Sequence, residues 1–178
     1  MSLTDAEFTV LRTTIAVRGT VRMALLPLTL IAWSSLAAAL LMTSDLPVSS
    51  LFPLAVLAGG FEAIHALHVG VERIGRYLQV YYETGADGPQ WETTAMRVGP
   101  ALPGGGIDPL FSVLFVCAAF INIIPAMLPS PTTLELSVLG VLHAAFALRV
   151  VRARGAAARQ RAVELDNYRA IKSNTASR

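Results

Sequence analysis

The residues best suited to chemistry fall on one predicted helix in an otherwise apolar chain. This helix covers residues 51–83, and its polar side chains form a stripe about 120° wide on a helical wheel. The members of the stripe that could ionise or coordinate a ligand are Glu62, His65, His68, Glu72 and Arg76. Carboxylates and imidazoles at this spacing can transfer protons, ligate a metal or bond to a neighbouring helix.

The depth of Glu62 makes it the most unusual member of the stripe. It lies roughly 16 Å along the helix from Leu51, near the middle of about 30 Å of hydrocarbon. His143 falls at a similar depth on another predicted span, and Asn122 on a third span is nearer the outer surface. An ionisable group at this depth costs several kcal/mol unless it is paired or faces a cavity. We therefore expect Glu62 to be uncharged or hydrogen-bonded to a donor such as His65 or His143.

Several functional hypotheses use these residues. His65 and His143, on different helices, could ligate a b-type haem or bind a quinone. The stripe from Glu62 to Glu72 could instead line the ion or proton path of a small oligomeric channel. A di-iron site needs two Glu-x-x-His motifs, whereas Glu62-x-x-His65 occurs once, so no metal site is predicted.

A structural role explains the same residues. Polar side chains bond helices together in lipid, and small residues let helix backbones approach closely. A seam of small residues lies beside the polar stripe and comprises Gly59, Ala63, Ala66 and Gly70. Arg73 and Arg76, with Glu72 and Glu83, predict a charge network near the membrane surface. One side of this helix is therefore suited to tight packing and the neighbouring side to polar contact.

The elements that position these residues are predicted from hydropathy. The 178-residue chain is 54% hydrophobic and only 15% charged, whereas a soluble domain has about 25% charged residues. Four charge-poor segments each approach the length of a membrane span, which predicts an all-α protein with a transmembrane domain over residues 23–151. The predicted spans cover residues 23–43, 51–83 (including a cytoplasmic extension), 110–128 and 134–151.

The flanking and connecting segments complete this organisation. Thr4 and Glu7 have the spacing of a capping box and predict an amphipathic interfacial helix over residues 1–22. Residues 152–178 are predicted to be a cytoplasmic tail that is largely helical. The glycine-rich loop over residues 84–109 has no phosphate-binding motif, and Cys117 alone supplies neither a disulfide nor a thiol metal site. We expect the spans and loops to use up the chain and leave no separate globular domain.

The distribution of basic residues predicts the orientation. All 14 Lys and Arg residues lie outside the two predicted outer loops, so both termini are expected to be cytoplasmic. A net charge of +2 is too small to indicate nucleic-acid binding. The Ala- and Arg-rich, Lys-poor composition is typical of a GC-rich bacterial genome and hence of an inner membrane.

These observations predict a non-catalytic accessory or structural subunit of a larger energy-transducing or transport complex. Its expected partners are the bilayer and other membrane subunits, and a homo-oligomer is a further alternative. Bound lipids are expected, and no cofactor is predicted. A redox subunit that binds haem b or quinone is the main alternative function, and a small oligomeric channel is the third.

Overall fold

The computed structural model describes residues 3–85, 90–98, 108 and 110–176. These residues form helices and turns without any strand, which confirms the all-α prediction. The α-helices are α1 (Leu3–Thr43), α2 (Leu51–Leu78), α3 (Trp91–Val98), α4 (Ser112–Ile123) and α5 (Thr133–Ala176). Two 3-10 turns, Pro47–Ser50 and Pro125–Met127, precede α2 and follow α4, and a π-turn, Gln79–Glu83, extends α2.

Three helical segments are long and apolar enough to cross a membrane. They are Thr4–Thr43, Pro47–Glu83 and Thr133–Thr175. The remaining predicted span corresponds to a shorter apolar segment, Ser112–Met127. Its α-helix ends at Ile123, just before Pro125, which cannot donate a backbone hydrogen bond. The helices are those of a membrane protein, and the fourth crossing stays a prediction.

The predicted terminal helices are continuous with the first and last spans. Residues 3–22 form the first half of α1, and Pro27 lies inside this helix without ending it. Residues 152–176 likewise continue α5, because this stretch consists of good helix formers such as Ala, Arg and Gln. The glycines at positions 88, 99 and 104–106 lie outside the described residues. The predicted loop does contain the short helix α3.

The chain divides into two compact units. The charged unit comprises Met1–Val21, Ala66–Pro109 and Gly155–Arg178, and the apolar unit comprises Arg22–His65 and Leu110–Arg154. Most of the charged residues belong to the charged unit. Each unit thus contains about half of the chain.

The core of the apolar unit is built around three aromatic rings. Phe61 of α2 lies edge-on to Phe115 of α4, with ring centroids 5.3 Å apart, and to Phe146 of α5, at 6.2 Å. α1 joins this core through Trp33 and neighbouring leucines. The side chain of Thr29 fills the space where a Cβ at Gly60 would lie. All four long or apolar helices therefore pack in this unit.

The charged unit has an aromatic cluster of its own. Tyr77 stacks on Tyr81 with centroids 4.5 Å apart, and both rings meet Tyr168 of α5 nearly at right angles. The hydroxyl of Tyr77 donates to Glu7 of α1 at 2.9 Å. Lys172 of α5 donates to the carbonyl of Val80 at 2.6 Å. These contacts tie α1, α2 and α5 together within the charged unit.

Candidate functional site

Asn122 is the centre of a buried hydrogen-bond network in the apolar unit. Its side chain is only 2% exposed. The indole Nε1 of Trp33 donates to Asn122 Oδ1 at 3.0 Å. Asn122 Nδ2 donates to the carbonyl of Ser50 at 2.8 Å and lies 3.0 Å from His143 Nε2. The amide thus uses its oxygen and both of its N–H groups.

The contacts of His143 fix its tautomer. Its Nδ1 lies 2.8 Å from the carbonyl of Leu139, and because a carbonyl can only accept, Nδ1 carries the proton. Nε2 then accepts from Asn122, so the ring is neutral and both nitrogens are bonded. In this arrangement His143 joins α5 to α4 and has hydrogen bonds at both ring nitrogens.

The donor to Glu62 is Arg149 rather than His65 or His143. Arg149 Nη2 lies 2.8 Å from Glu62 Oε2 and 3.4 Å from His65 Nδ1. Its guanidinium also lies 5.6 Å from the centre of the Phe61 ring. Opposite charges attract strongly in a medium of low dielectric constant. This attraction explains why the guanidinium of Arg149 pairs with the carboxylate of Glu62. The pair is not buried, since the Arg149 and Glu62 side chains are 40% and 50% exposed.

The predicted small-residue seam has an uneven environment. Gly59, Ala63 and Ala66 are exposed, and a Cβ added at Gly59 would meet nothing within 4 Å. A Cβ at Gly70 would lie 2.6 Å from Arg18 Nη1 in the charged unit. In the apolar unit α2 lies close to the Thr29 side chain of α1 at Gly60. The helical wheel did not include Gly60 in the predicted seam.

Arg76 is the centre of an ion-pair network in the charged unit. Its side chain is 3% exposed. Nη1 donates to Glu72 Oε2 at 3.0 Å, and Nε and Nη2 donate to Glu164 Oε2 at 2.8 and 2.5 Å. Glu72 belongs to α2 itself, whereas Glu164 belongs to α5. The charge-assisted hydrogen bonds from Arg76 to Glu164 therefore join α2 to α5.

Other side chains complete the two carboxylates of this network. Arg73 and Gln160 donate to Glu164 Oε1 at 3.1 and 2.7 Å. Arg161 donates to Glu72, and His68 Nε2 lies 3.8 Å from the same carboxylate. The predicted residues His68, Glu72, Arg73 and Arg76 are therefore brought together. Their partners on α5 were missed because they are 88 or more positions away in the chain.

Glu83, which was predicted to join this network, instead caps α3. Its carboxylate accepts from the backbone N–H groups of Glu92 and Thr93 at 2.7 and 2.8 Å and from the Thr93 hydroxyl at 2.8 Å. A carboxylate at a helix N-terminus satisfies the free N–H groups and opposes the positive end of the helix dipole. This long-range cap explains why so short a helix forms in a segment without a local capping signal.

Glu92 carries the contact between α3 and α1. Arg12 Nη1 donates to its carboxylate at 2.6 Å. Burial raises the pKa of Glu92 above its ordinary value, and the charge of Glu83 adds to this, whereas Arg12 opposes it. The carboxylate also packs so closely on Gly75 of α2 that an added Cβ would lie 2.8 Å from Glu92 Oε2.

The polar groups of both units are thus engaged mainly in joining helices. Among the described residues, no three His, Cys, Asp or Glu side chains converge as a metal site would require. No protein family, curated protein or solved structure matches the chain. The fold is that of an all-helical membrane protein.

Proposed function

We propose that this chain is a non-catalytic subunit of a larger membrane complex, and that a partner helix packs on α2 beside Glu62. The observation that carries the proposal is the half-exposed ion pair between Glu62 and Arg149. Gly59 and Ala63 are exposed on the same helix. A polar pair and small residues together favour contact with another protein helix over contact with lipid.

The physical reason is the cost of charge in hydrocarbon. Charged side chains in a membrane normally face protein or a water-filled cavity. A partner helix over Glu62 would remove the pair from lipid and could hydrogen-bond to its remaining lone pairs. Gly59 and Ala63 would let that helix approach closely, as small residues do between membrane helices.

The internal polar contacts support the non-catalytic part of the proposal. Asn122 and His143 use their donors and acceptors within the apolar unit. Arg76 and its two carboxylates do the same in the charged unit. These groups therefore serve helix packing, whereas His65 Nε2 is buried without a hydrogen-bond partner and is the group on which the haem alternative depends.

We further propose four crossings with the charged unit in the cytoplasm of a bacterium. Residues 1–21, 66–109 and 155–178 belong to one compact unit, so the chain must leave it and return twice. The second segment that leaves the charged unit, residues 110–154, contains α4 and the first part of α5. The two 3-10 turns contact each other within the apolar unit, as two loops on the outer side would. This arrangement supports an even number of crossings, and the positive-inside rule then favours the cytoplasmic side for both termini. The Ala- and Arg-rich composition is what favours a bacterial inner membrane.

The test is purification of the tagged chain from its native membranes in a mild detergent. We expect unrelated membrane proteins to co-purify, and Gly59→Leu and Ala63→Leu to lose them while the chain itself still elutes as a folded species. Ala39→Leu, which enlarges an exposed alanine of α1, is the matched control and should keep the partners. Recovery of only a monomer or a homo-oligomer would refute the proposal.

The same sample distinguishes the redox and channel hypotheses. A Soret band that disappears in His65→Ala would establish haem and overturn the non-catalytic assignment. Ion flux in liposomes that falls in Glu62→Gln would establish a channel. We expect a colourless preparation without such flux.

A further inference from the structure

A groove lies between α4 and α5 in the apolar unit. It has a volume of about 510 Å³. Apart from His143, its lining consists of apolar residues and a glycine, among them Val116, Phe120, Ala144 and Val151. Both nitrogens of His143 are bonded to protein. The groove therefore offers an apolar surface and no free hydrogen-bond donor.

Two arginines of α5 lie just beyond the last residue that lines the groove. Gly140, Ala144, Ala147 and Val151 line it at helical spacing, and Arg154 continues this row three residues later. Arg152 and Arg154 are both exposed, and neither forms an ion pair within the described part of the chain. One end of an apolar groove is thus flanked by two unneutralised cations.

The length of the groove matches one leaflet. From Gly140 to Val151 the helix rises roughly 17 Å, close to half of the about 30 Å of hydrocarbon in a bilayer. The groove is apolar along its length and has two cations beyond one end. This arrangement fits a molecule with a single apolar chain and an anionic head.

We propose that this groove binds one acyl chain of an anionic phospholipid, with its phosphate at Arg152 and Arg154. Apolar contact holds the chain, and the two guanidinium groups select a negatively charged headgroup. A quinone would need a hydrogen-bond donor for its carbonyl groups, and His143 has none to spare. The site lies outside the surface proposed for the partner helix, so it does not depend on that assignment.

The test is native mass spectrometry of the purified full chain in micelles with equal amounts of phosphatidylglycerol and phosphatidylcholine. We expect retained phosphatidylglycerol to exceed phosphatidylcholine several-fold. Arg152→Gln combined with Arg154→Gln should abolish this preference, and Ala144→Phe, which fills the groove, should reduce retention of both lipids. The thermal midpoint of each variant in the same micelles establishes that it remains folded.

Ala145→Phe is the matched control, because Ala145 is equally an exposed alanine of α5 but does not line the groove. It should retain lipid as the unmodified chain does. Equal loss in Ala144→Phe and Ala145→Phe would reduce the binding to general lipid contact and overturn the proposal. Equal retention of the two lipids by the unmodified chain, or recovery of a neutral quinone instead, would also overturn it.

Discussion

Replacing Asn122 by leucine tests whether the buried network holds the apolar unit together. Leucine keeps most of the side-chain volume and removes every hydrogen bond of the amide. Trp33 Nε1, the Ser50 carbonyl and His143 Nε2 would each lose a partner at once. The change therefore weakens contacts among α1, α4, α5 and the turn before α2 through a single side chain.

The expected loss follows from the three bonds. Side-chain hydrogen bonds between membrane helices average about 0.6 kcal/mol and reach about 1.7 kcal/mol. Three of them give a loss of about 2 kcal/mol, with about 5 kcal/mol as the upper bound. Trp33→Phe breaks only one of the three and should lose about 0.6 kcal/mol on that account. In the double variant the loss should be smaller than the sum of the single losses, because the two changes share one bond.

The assay is reversible unfolding in mixed micelles of dodecyl maltoside and sodium dodecyl sulfate, followed by far-ultraviolet circular dichroism. Asn167→Leu, at an exposed position of α5, is the control and should change stability by less than about 0.5 kcal/mol. If Asn122→Leu changed stability no more than this control, the network could not be what joins the helices.

Three further predictions concern the charged unit and one turn. Arg76→Met leaves Glu164 and its neighbours without their central cation and should destabilise the protein by about 3–5 kcal/mol in the same unfolding assay. Arg12→Gln should raise the pKa of Glu92 further, measured by carbon-13 titration of its carboxyl group. Ser130 has a φ of 55°, which costs a non-glycine residue about 1–2 kcal/mol, so Ser130→Gly should raise stability by about 0.5 kcal/mol after the entropic cost of glycine.

The direction of the pH effect at Glu92 follows from its raised pKa. A carboxyl whose pKa is higher in the folded state favours folding while it is protonated, and this contribution is lost as the pH rises through that value. Arg12 stabilises the ionised form, so the destabilisation caused by Arg12→Gln should grow as the pH rises. Equal destabilisation at pH 4 and pH 8 would contradict this reasoning.

The predictions for Arg76→Met and Ser130→Gly can also be contradicted by the unfolding assay. An Arg76→Met protein as stable as the unmodified chain would mean that Glu72 and Glu164 are adequately neutralised by Arg161 and Arg73. A loss of stability in Ser130→Gly would mean that the left-handed backbone is not maintained in the turn.

Hydropathy and helical periodicity were sufficient to predict an all-helical membrane protein. They work because each helix satisfies its own backbone hydrogen bonds, so local composition decides where a helix can lie in lipid. The continuity of α1 and α5 was missed because a change from apolar to charged residues resembles a boundary, although nothing there interrupts the helix. α3 was missed because its cap comes from Glu83 in a preceding element.

The polar contacts were harder to predict than the helices. The wheel placed Glu72 and Arg76 on one side of α2 because i and i+4 positions are neighbours on any helix. It gave no information about Glu164 or Arg149, which reach α2 from another helix. The partner of a buried charge depends on how helices pack, and a single periodic pattern does not contain that information.

The ion pair between Glu62 and Arg149 joins residues 87 positions apart, and this separation implies an order of events during synthesis. Glu62 is translated first, so under the proposed topology α2 enters the bilayer with an unpaired carboxyl group. The charge-free stretch of α5 between Glu135 and Arg149 is only about 20 Å long, short of the about 30 Å needed to span the hydrocarbon. Under this topology Arg149 lies within the part of α5 that crosses the hydrocarbon, and Glu62 is already in the membrane when α5 is made. The cost of placing Arg149 there is lowered by a carboxylate on a helix that was inserted earlier.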